Sequence, residues 1–371
     1  MASAAQRCGM TCFGVAFSIL LAFLLFAASG LYDVAASRMH WTLTREFLSF
    51  GLRRAVATHS RDISAPKLDD MNLVVLGAGH FEDGCAPCHG APGRPRNPIA
   101  ERMLPNPPHL AAVVSSWSPE ELFWIVKHGL KYTGMPAWAA TARDDDVWSV
   151  VAFLRKLPET SPDRYRLLAT GGTGRSNQII ALGAANHKSD DLANCTRCHG
   201  RSDLGSALVP RLAGQPQSYL EQSLHDFTSG LRQSGVMQPI AATLDAETLR
   251  AISAYFSKLE PSRAKAPMAE DGAIGRGREI ATRGVAETNV PACRICHSET
   301  ASPNVPRLDG QYALYIEEQL RLWRRGLRRQ SGNATVMRII ASRLSEAQAK
   351  DVAAYFESMT RFEPSPPLAK R

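Results

Sequence analysis

Residues 13–32 are almost wholly apolar, with Phe17, Ile19, Leu20, Leu21, Phe23, Leu24, Leu25 and Phe26 at the centre and Arg7 the one charge before them. At about 1.5 Å per residue such a run approaches the ~30 Å of a bilayer core, so a transmembrane anchor is expected over residues 1–35. Arg7 on the short flank keeps the N-terminus inside and sends the body of the chain outward. Ala27-Ala28-Ser29 would equally suit cleavage of a secretory signal; the length of the apolar run favours a retained anchor, and both readings place the body on the same side. Residues 36–70 then mix Trp41, Leu43, Phe47, Phe50 and Leu52 with Arg38, Arg45, Arg53 and Arg54. That pattern is an amphipathic segment, suited either to the membrane surface or to packing on the unit that follows.

Beyond residue 70 the apolar period is helical. A run over 72–81 is followed by the Gly- and Pro-rich residues 90–108. Ser118-Pro119-Glu120-Glu121 reads as a capping box with proline at the first helical position, opening a helix through Leu122, Ile125 and Val126. A closing helix over 146–157 places Val147, Val150, Val151 and Leu154 on one face. Residues 159–177, with Pro162, Gly171, Gly172 and Gly174, read as a linker.

The rest of the chain repeats itself. Val209-Pro210-Arg211-Leu212, Gly214-Gln215 and Tyr219 recur as Val305-Pro306-Arg307-Leu308, Gly310-Gln311 and Tyr315. Glu221, Leu224, Gly230 and Arg232 recur as Glu317, Leu320, Gly326 and Arg328, and Ala254-Tyr255-Phe256 as Ala354-Tyr355-Phe356. A match of this extent indicates duplication of one unit. The predicted divisions are 71–158, 178–259 and 272–360, with 260–271 as a second linker and 361–371 as a tail.

Each division carries one Cys-x-x-Cys-His: Cys85, Cys88 and His89; Cys195, Cys198 and His199; Cys293, Cys296 and His297. Two thiols three positions apart reach the two vinyl groups of one haem, and the adjacent imidazole can bind its iron. Three copies predict three covalently bound haem c groups. Six of the eight cysteines are thereby used, leaving Cys8 and Cys12 as spectators near the N-terminus. Zinc is excluded because no second Cys or His pair completes a tetrahedron, and a thioredoxin-like site would need a βαβ setting.

Function turns on what fills the other face of each iron. A thioether raises the potential and closes the site to outside ligands. Met135, Met237 and Met337 follow their histidines by 46, 38 and 40 residues, each expected in the irregular stretch between two helices. A lone methionine is usually core filler; three in register argue for ligands. Met103, only 14 residues after His89, and Met359, in the closing helix, are the rivals. His225 is set aside because the third division has Arg321 at the equivalent place.

The excess of 43 Lys+Arg over 35 Asp+Glu, a formal +8, suits acidic docking partners or anionic lipid. The basic residues form no single stripe with aromatics, which disfavours nucleic acid. No hydrolase triad, phosphate loop or carboxylate pair is spaced for catalysis, so no catalytic residue is assigned.

On these motifs the chain resembles the c-type cytochromes over nearly all of residues 71–360. The second and third divisions resemble the halves of a cytochrome c4-type dihaem protein through the attachment motif, the Pro-Arg-Leu-x-Gly-Gln-x-x-x-Tyr block, a Gly-Leu-Arg turn, the methionine and the Ala-Tyr-Phe helix. The first resembles a separate class I domain through Gly134-Met135-Pro136. The resemblance implies an all-α fold of three tandem cytochrome c domains with His/Met coordination. The expected function is electron relay between a quinol-oxidising complex or dehydrogenase and a terminal oxidase or reductase, in a protein held at the bacterial inner membrane and facing the periplasm. A cytochrome subunit of a periplasmic alcohol or sugar-acid dehydrogenase is the alternative, and a haem peroxidase would need an open sixth position.

Overall fold

The computed structural model describes residues 4–170, 188–199, 206–261, 271–298, 300–328 and 334–359, with side chains of the first helix described from residue 13. Every regular element among them is helical, and extended pairing is limited to isolated bridges such as Arg232 with Arg328. The glycine-rich part of the first linker, most of the second and the tail lie outside the described residues.

Helix α1 (Ala4–Ala28) holds the apolar run. Among the described residues no helix is long and apolar enough to cross a membrane. The side chains of residues 4–12 lie outside the described residues, so the helix expected over residues 1–35 is described only in part. In α2 (Thr42–His59) the two roles divide along its length. Val56 is buried, Arg53 lies over the Trp117 ring at 5.1 Å, and His59 stacks on Trp124 at 5.7 Å, so the C-terminal half packs on the first unit. Leu43, Phe47 and Phe50 in the other half are exposed.

The next seven helices are α3 (Met71–His80), α4 (Ala86–His89), α5 (Pro98–Glu101), α6 (Leu110–Val113), α7 (Pro119–His128), α8 (Asp144–Lys156) and α9 (Pro162–Thr170). Local signals start them. Asp70 caps α3 by accepting from the Asn72 N–H, and both halves of the Ser118/Glu121 capping box form at α7. Three aspartates open α8, and Arg155 with Lys156 closes it, as the helix dipole favours. The predicted face of α8 is buried against α3 and α7. At the α3–α8 crossing a Cβ on Gly77 would stand 1.9 Å from the Ser149 carbonyl oxygen, so only glycine permits this approach. Residues 162–170, expected in a linker, instead form α9, because Tyr165, Leu168 and Ala169 share one face and complete this core.

The duplicated part contains α10 (Lys188–His199), α11 (Gln217–Thr228), α12 (Met237–Ala242), α13 (Ala246–Lys258), α14 (Asp271–Arg283), α15 (Arg294–His297), α16 (Ala313–Arg324), α17 (Ala334–Arg343) and α18 (Glu346–Ser358). The repeat in sequence is a repeat in structure. Gly214 and Gly310, both left-handed at φ near +70°, donate their N–H to the Phe256 and Phe356 carbonyls at 2.9 and 2.8 Å. Gly277 on α14 repeats the close crossing, with a Cβ position 2.0 Å from the Asp351 carbonyl oxygen on α18.

Two copies of the Pro-Arg-Leu-x-Gly-Gln block bind each other. Gln215 donates to the Arg307 carbonyl (2.8 Å) and accepts from the Arg307 N–H (3.0 Å). Gln311 does the same to Arg211, at 3.0 and 2.9 Å. The exchange is reciprocal, as in an isologous interface. Gln215→Ala strips both partners from the Arg307 backbone and is expected to cost about 2–3 kcal/mol. Urea denaturation should then show the second and third units unfolding apart; a single transition at the parental midpoint would refute this.

Candidate functional site

The three pentapeptide histidines are held alike. His89 Nδ1 lies 2.9 Å from the Pro108 carbonyl oxygen, His199 Nδ1 2.9 Å from that of Pro210, and His297 Nδ1 2.8 Å from that of Pro306. A carbonyl can only accept, so each ring carries its proton on Nδ1 and presents a bare Nε2. Burial lowers the pKa of all three, keeping the imidazoles neutral as metal ligation requires. The three prolines had no role in the sequence reading. Two of them sit in the repeated Val-Pro-Arg-Leu block, where the signal was available; Pro108 ends a loop with no repeat to mark it.

The described cysteines are free of disulfides. Burial pushes the Cys85 thiol up to about 12 and Cys293 to about 11, and raises Cys198. Thiols so protonated are poor redox nucleophiles, which disfavours a dithiol exchange site. Cys195 and Cys293 pack on the second and third cores and Cys85 on the first; Cys88 is half-buried and Cys296 exposed. The side chains of Cys8 and Cys12 lie outside the described residues.

One cavity, partly open to solvent, joins the second and third sets. Its walls include Cys195, Cys198, His199 and Met237, together with His297 and Met337. Protein interiors are close-packed, so a cavity lined by both ligand sets is a place for large bound groups. Met237 and Met337 are not in irregular stretches as expected: Met237 is the first residue of α12, and Met337 lies in the first turn of α17. A helix start still leaves the side chain free to point along the axis into the cavity. Met135 fits the expectation, in a turn where its N–H donates to Thr133 Oγ1 at 3.0 Å. Tertiary structure also brings Met103 to this turn, its sulfur 3.0 Å from where a Cβ on Gly134 would be. Met359 is occupied, its sulfur accepting from Arg294 Nη1 at 3.2 Å, and His225 is exposed.

Arg232 and Arg328 face one another across the interface of the two repeated units and line the same cavity. Both are buried. Arg232 Nη2 donates to Tyr315 Oη (2.8 Å) and Gln319 Oε1 (3.2 Å), and Arg328 Nη1 to Gln319 Oε1 (2.6 Å). Burial and the facing guanidinium pull Arg328 down to about 10, and its Nε has no hydrogen-bond partner. A buried pair of like charges requires an anion.

A family model for subunit III of the cbb3-type cytochrome c oxidase matches residues 73–154 and 181–256. The thiosulfate dehydrogenase electron acceptor of Thiomonas intermedia is 40% identical over 169 residues, 44% of this chain and 77% of that protein. The chain belongs to the c-type cytochromes. The cytochrome c4 of Pseudomonas aeruginosa is 31% identical over 198 residues, 52% of this chain and 96% of that protein. The cytochrome c4 structure from Acidithiobacillus ferrooxidans is 35% identical, with a TM-score of 0.41, over 46% of this chain and 99% of that one. This is a multihaem cytochrome with a c4-like dihaem pair, and it transfers electrons. Its residues suit covalent haem c, which is large, planar and anionic at its propionates: paired thiols, bare histidine nitrogens, a cavity shared by two ligand sets and two buried, facing arginines are the complement of such a group.

Proposed function

We propose that this cytochrome carries three covalently bound haem c groups, in domains over 71–158, 178–259 and 272–360. Cys85 and Cys88, Cys195 and Cys198, and Cys293 and Cys296 would form the thioethers; His89 with Met135, His199 with Met237, and His297 with Met337 would bind the irons. The bound groups supply one-electron redox chemistry at iron. The protein's part is to hold two tight axial donors in a dry helical shell, so that little rearranges when an electron arrives or leaves. The observation that carries this reading is the single cavity with His199 and Met237, and His297 and Met337, on its walls. With both faces closed, the sites favour relay over peroxidase or oxygenase chemistry.

The relay would run from a quinol-oxidising complex or dehydrogenase to a terminal oxidase or reductase, outside the cytoplasm. Attachment to the inner membrane is supported by the uncovered side chains of α1 and by Leu43, Phe47 and Phe50 of α2, an unusually large apolar surface for a soluble protein. A second reading, the electron acceptor of a periplasmic dehydrogenase, draws support from the relative whose name is thiosulfate dehydrogenase electron acceptor.

The mass of the purified protein is expected to exceed that of the chain by three haem groups, and intact length at the N-terminus would mark a retained anchor. A two-haem mass would refute the trihaem reading. Rapid reduction by a thiosulfate dehydrogenase with thiosulfate would select the dehydrogenase partner; reduction only by a quinol-oxidising complex would select the other.

A further inference from the structure

One charged cluster is left without a role by haem binding, and it sits where the first unit meets the second. His80 ends α3 and Asp146 lies in the first turn of α8; both are in the first unit, yet both line the cavity of the second and third sites. They are 3% and 2% exposed. His80 Nε2 is 3.9 Å from Asp146 Oδ1, while His80 Nδ1 is buried without a hydrogen-bond partner. Arg143 Nη2 reaches Asp146 Oδ1 at 2.7 Å and also Asp145, and Arg143 Nη1 donates to the Gln233 carbonyl at 2.7 Å. Asp146 Oδ2 accepts from the Gly235 N–H at 2.9 Å. Gln233 and Gly235 belong to the loop that runs into Met237.

The first unit therefore grips the loop ahead of Met237 by a carboxylate and a guanidinium. We propose that Asp146 is the proton acceptor coupled to reduction of the second haem, an inference that rests on the His199 and Met237 reading above. When the second site gains an electron from its redox partner, an O–H bond forms at the Asp146 carboxyl with a proton from water. When the electron leaves, that bond breaks and the proton returns to water. Charge at the buried junction thus stays constant through each turnover.

The surroundings favour Asp146 for this. Burial pushes its pKa up to about 7; Arg143 opposes the rise and Asp145 adds to it. Two carboxylates share one guanidinium, and Asp145, which Arg143 grips most fully and Arg321 also faces, is the one held low. Burial and Arg143 take His80 down to about 3, so it is neutral near pH 7 and exchanges no charge there. From the third unit α16 turns Glu318, paired with Arg321, toward the cluster; burial and Asp145 raise Glu318. Arg232 is the further cation near Arg143. Reduction removes positive charge from the iron, which makes a nearby carboxylate less favourable and draws the proton in. The potential of the second site must then fall as pH rises.

The test is a redox titration of the holoprotein, resolved by haem, at a series of pH values around neutrality. The second haem of the parent is expected to lose up to about 59 mV for each tenfold fall in proton activity, the one-electron limit. Asp146→Asn, which keeps the shape of the side chain and one of its two acceptor oxygens, should flatten that slope, and Glu318→Gln should leave it. A pH-independent parent, a slope retained in Asp146→Asn, or a slope lost only in Glu318→Gln would each overturn the assignment. Infrared difference spectra of the parent, reduced minus oxidised, should gain a protonated-carboxyl C=O band; its absence would also overturn it and needs no variant. Haem content and the spectrum of the second site report separately on the ligand reading, so its failure is distinguishable from failure of the proton step.

Discussion

Met237→Ala is expected to open the second site alone, lowering its potential by on the order of 0.1 V, a modest part of the ~0.8 V span that axial ligands command. Loss of the thioether removes the ligand that stabilises ferrous iron, and the vacated position becomes available to carbon monoxide. One equivalent of carbon monoxide should bind the reduced variant, and none the reduced parent. The first site is insulated because its candidate methionines, Met135 and Met103, come from a different loop. The third should keep its potential because Met337 is on α17, in the other repeat. Unchanged potentials with no carbon monoxide binding would remove Met237 from the ligand set. Binding by the parent would reopen the peroxidase reading.

Gly77→Ala is expected to destabilise the first unit by about 3 kcal/mol, the upper end of what an added methyl costs in a filled core. The added carbon would sit 1.9 Å from the Ser149 carbonyl oxygen and 3.0 Å from Phe153 Cβ. A backbone atom cannot step aside as a side chain can, so α3 and α8 must part. Phe153, Val150 and Val151, among the most deeply buried side chains, would lose contact. At about 4–8 °C per kcal/mol for a domain of this size, the calorimetric transition of the first unit should fall by at least about 12 °C. Gly277→Ala should do the same to the third unit through the Asp351 carbonyl oxygen. A shift of less than about 4 °C in both would show that the crossings relax at little cost.

Much of the chemistry was legible because haem attachment is local. Cys-x-x-Cys-His needs only five consecutive residues, and the spacing of the thiols suits the two vinyl groups wherever the segment lies in the fold. Helix starts were legible for the same reason: the Ser118/Glu121 box acts within a turn. The linker over 159–177 was misjudged where glycine content outweighed the three-residue apolar face of α9. The methionine positions were found in register but placed in loops, because the one-turn helix start at α12 leaves too short a pattern to show a period. The apolar N-terminal run was readable as such, because it rests on the composition of consecutive residues alone.

By itself, then, the amino-acid sequence determined the all-α class, the duplication of the second and third units and the attachment motifs, since each rests on residues adjacent in the chain or repeated at a fixed interval. Tertiary structure decided what lies between them. Only the folded chain sets Gln215 against Arg307 and Gln311 against Arg211, merges two ligand sets into one cavity, and carries His80 and Asp146 of the first unit to the wall of the second. Those hydrogen bonds join residues 89 to 100 positions apart, and no local propensity encodes a partner so distant; complementary surfaces that find one another on packing do.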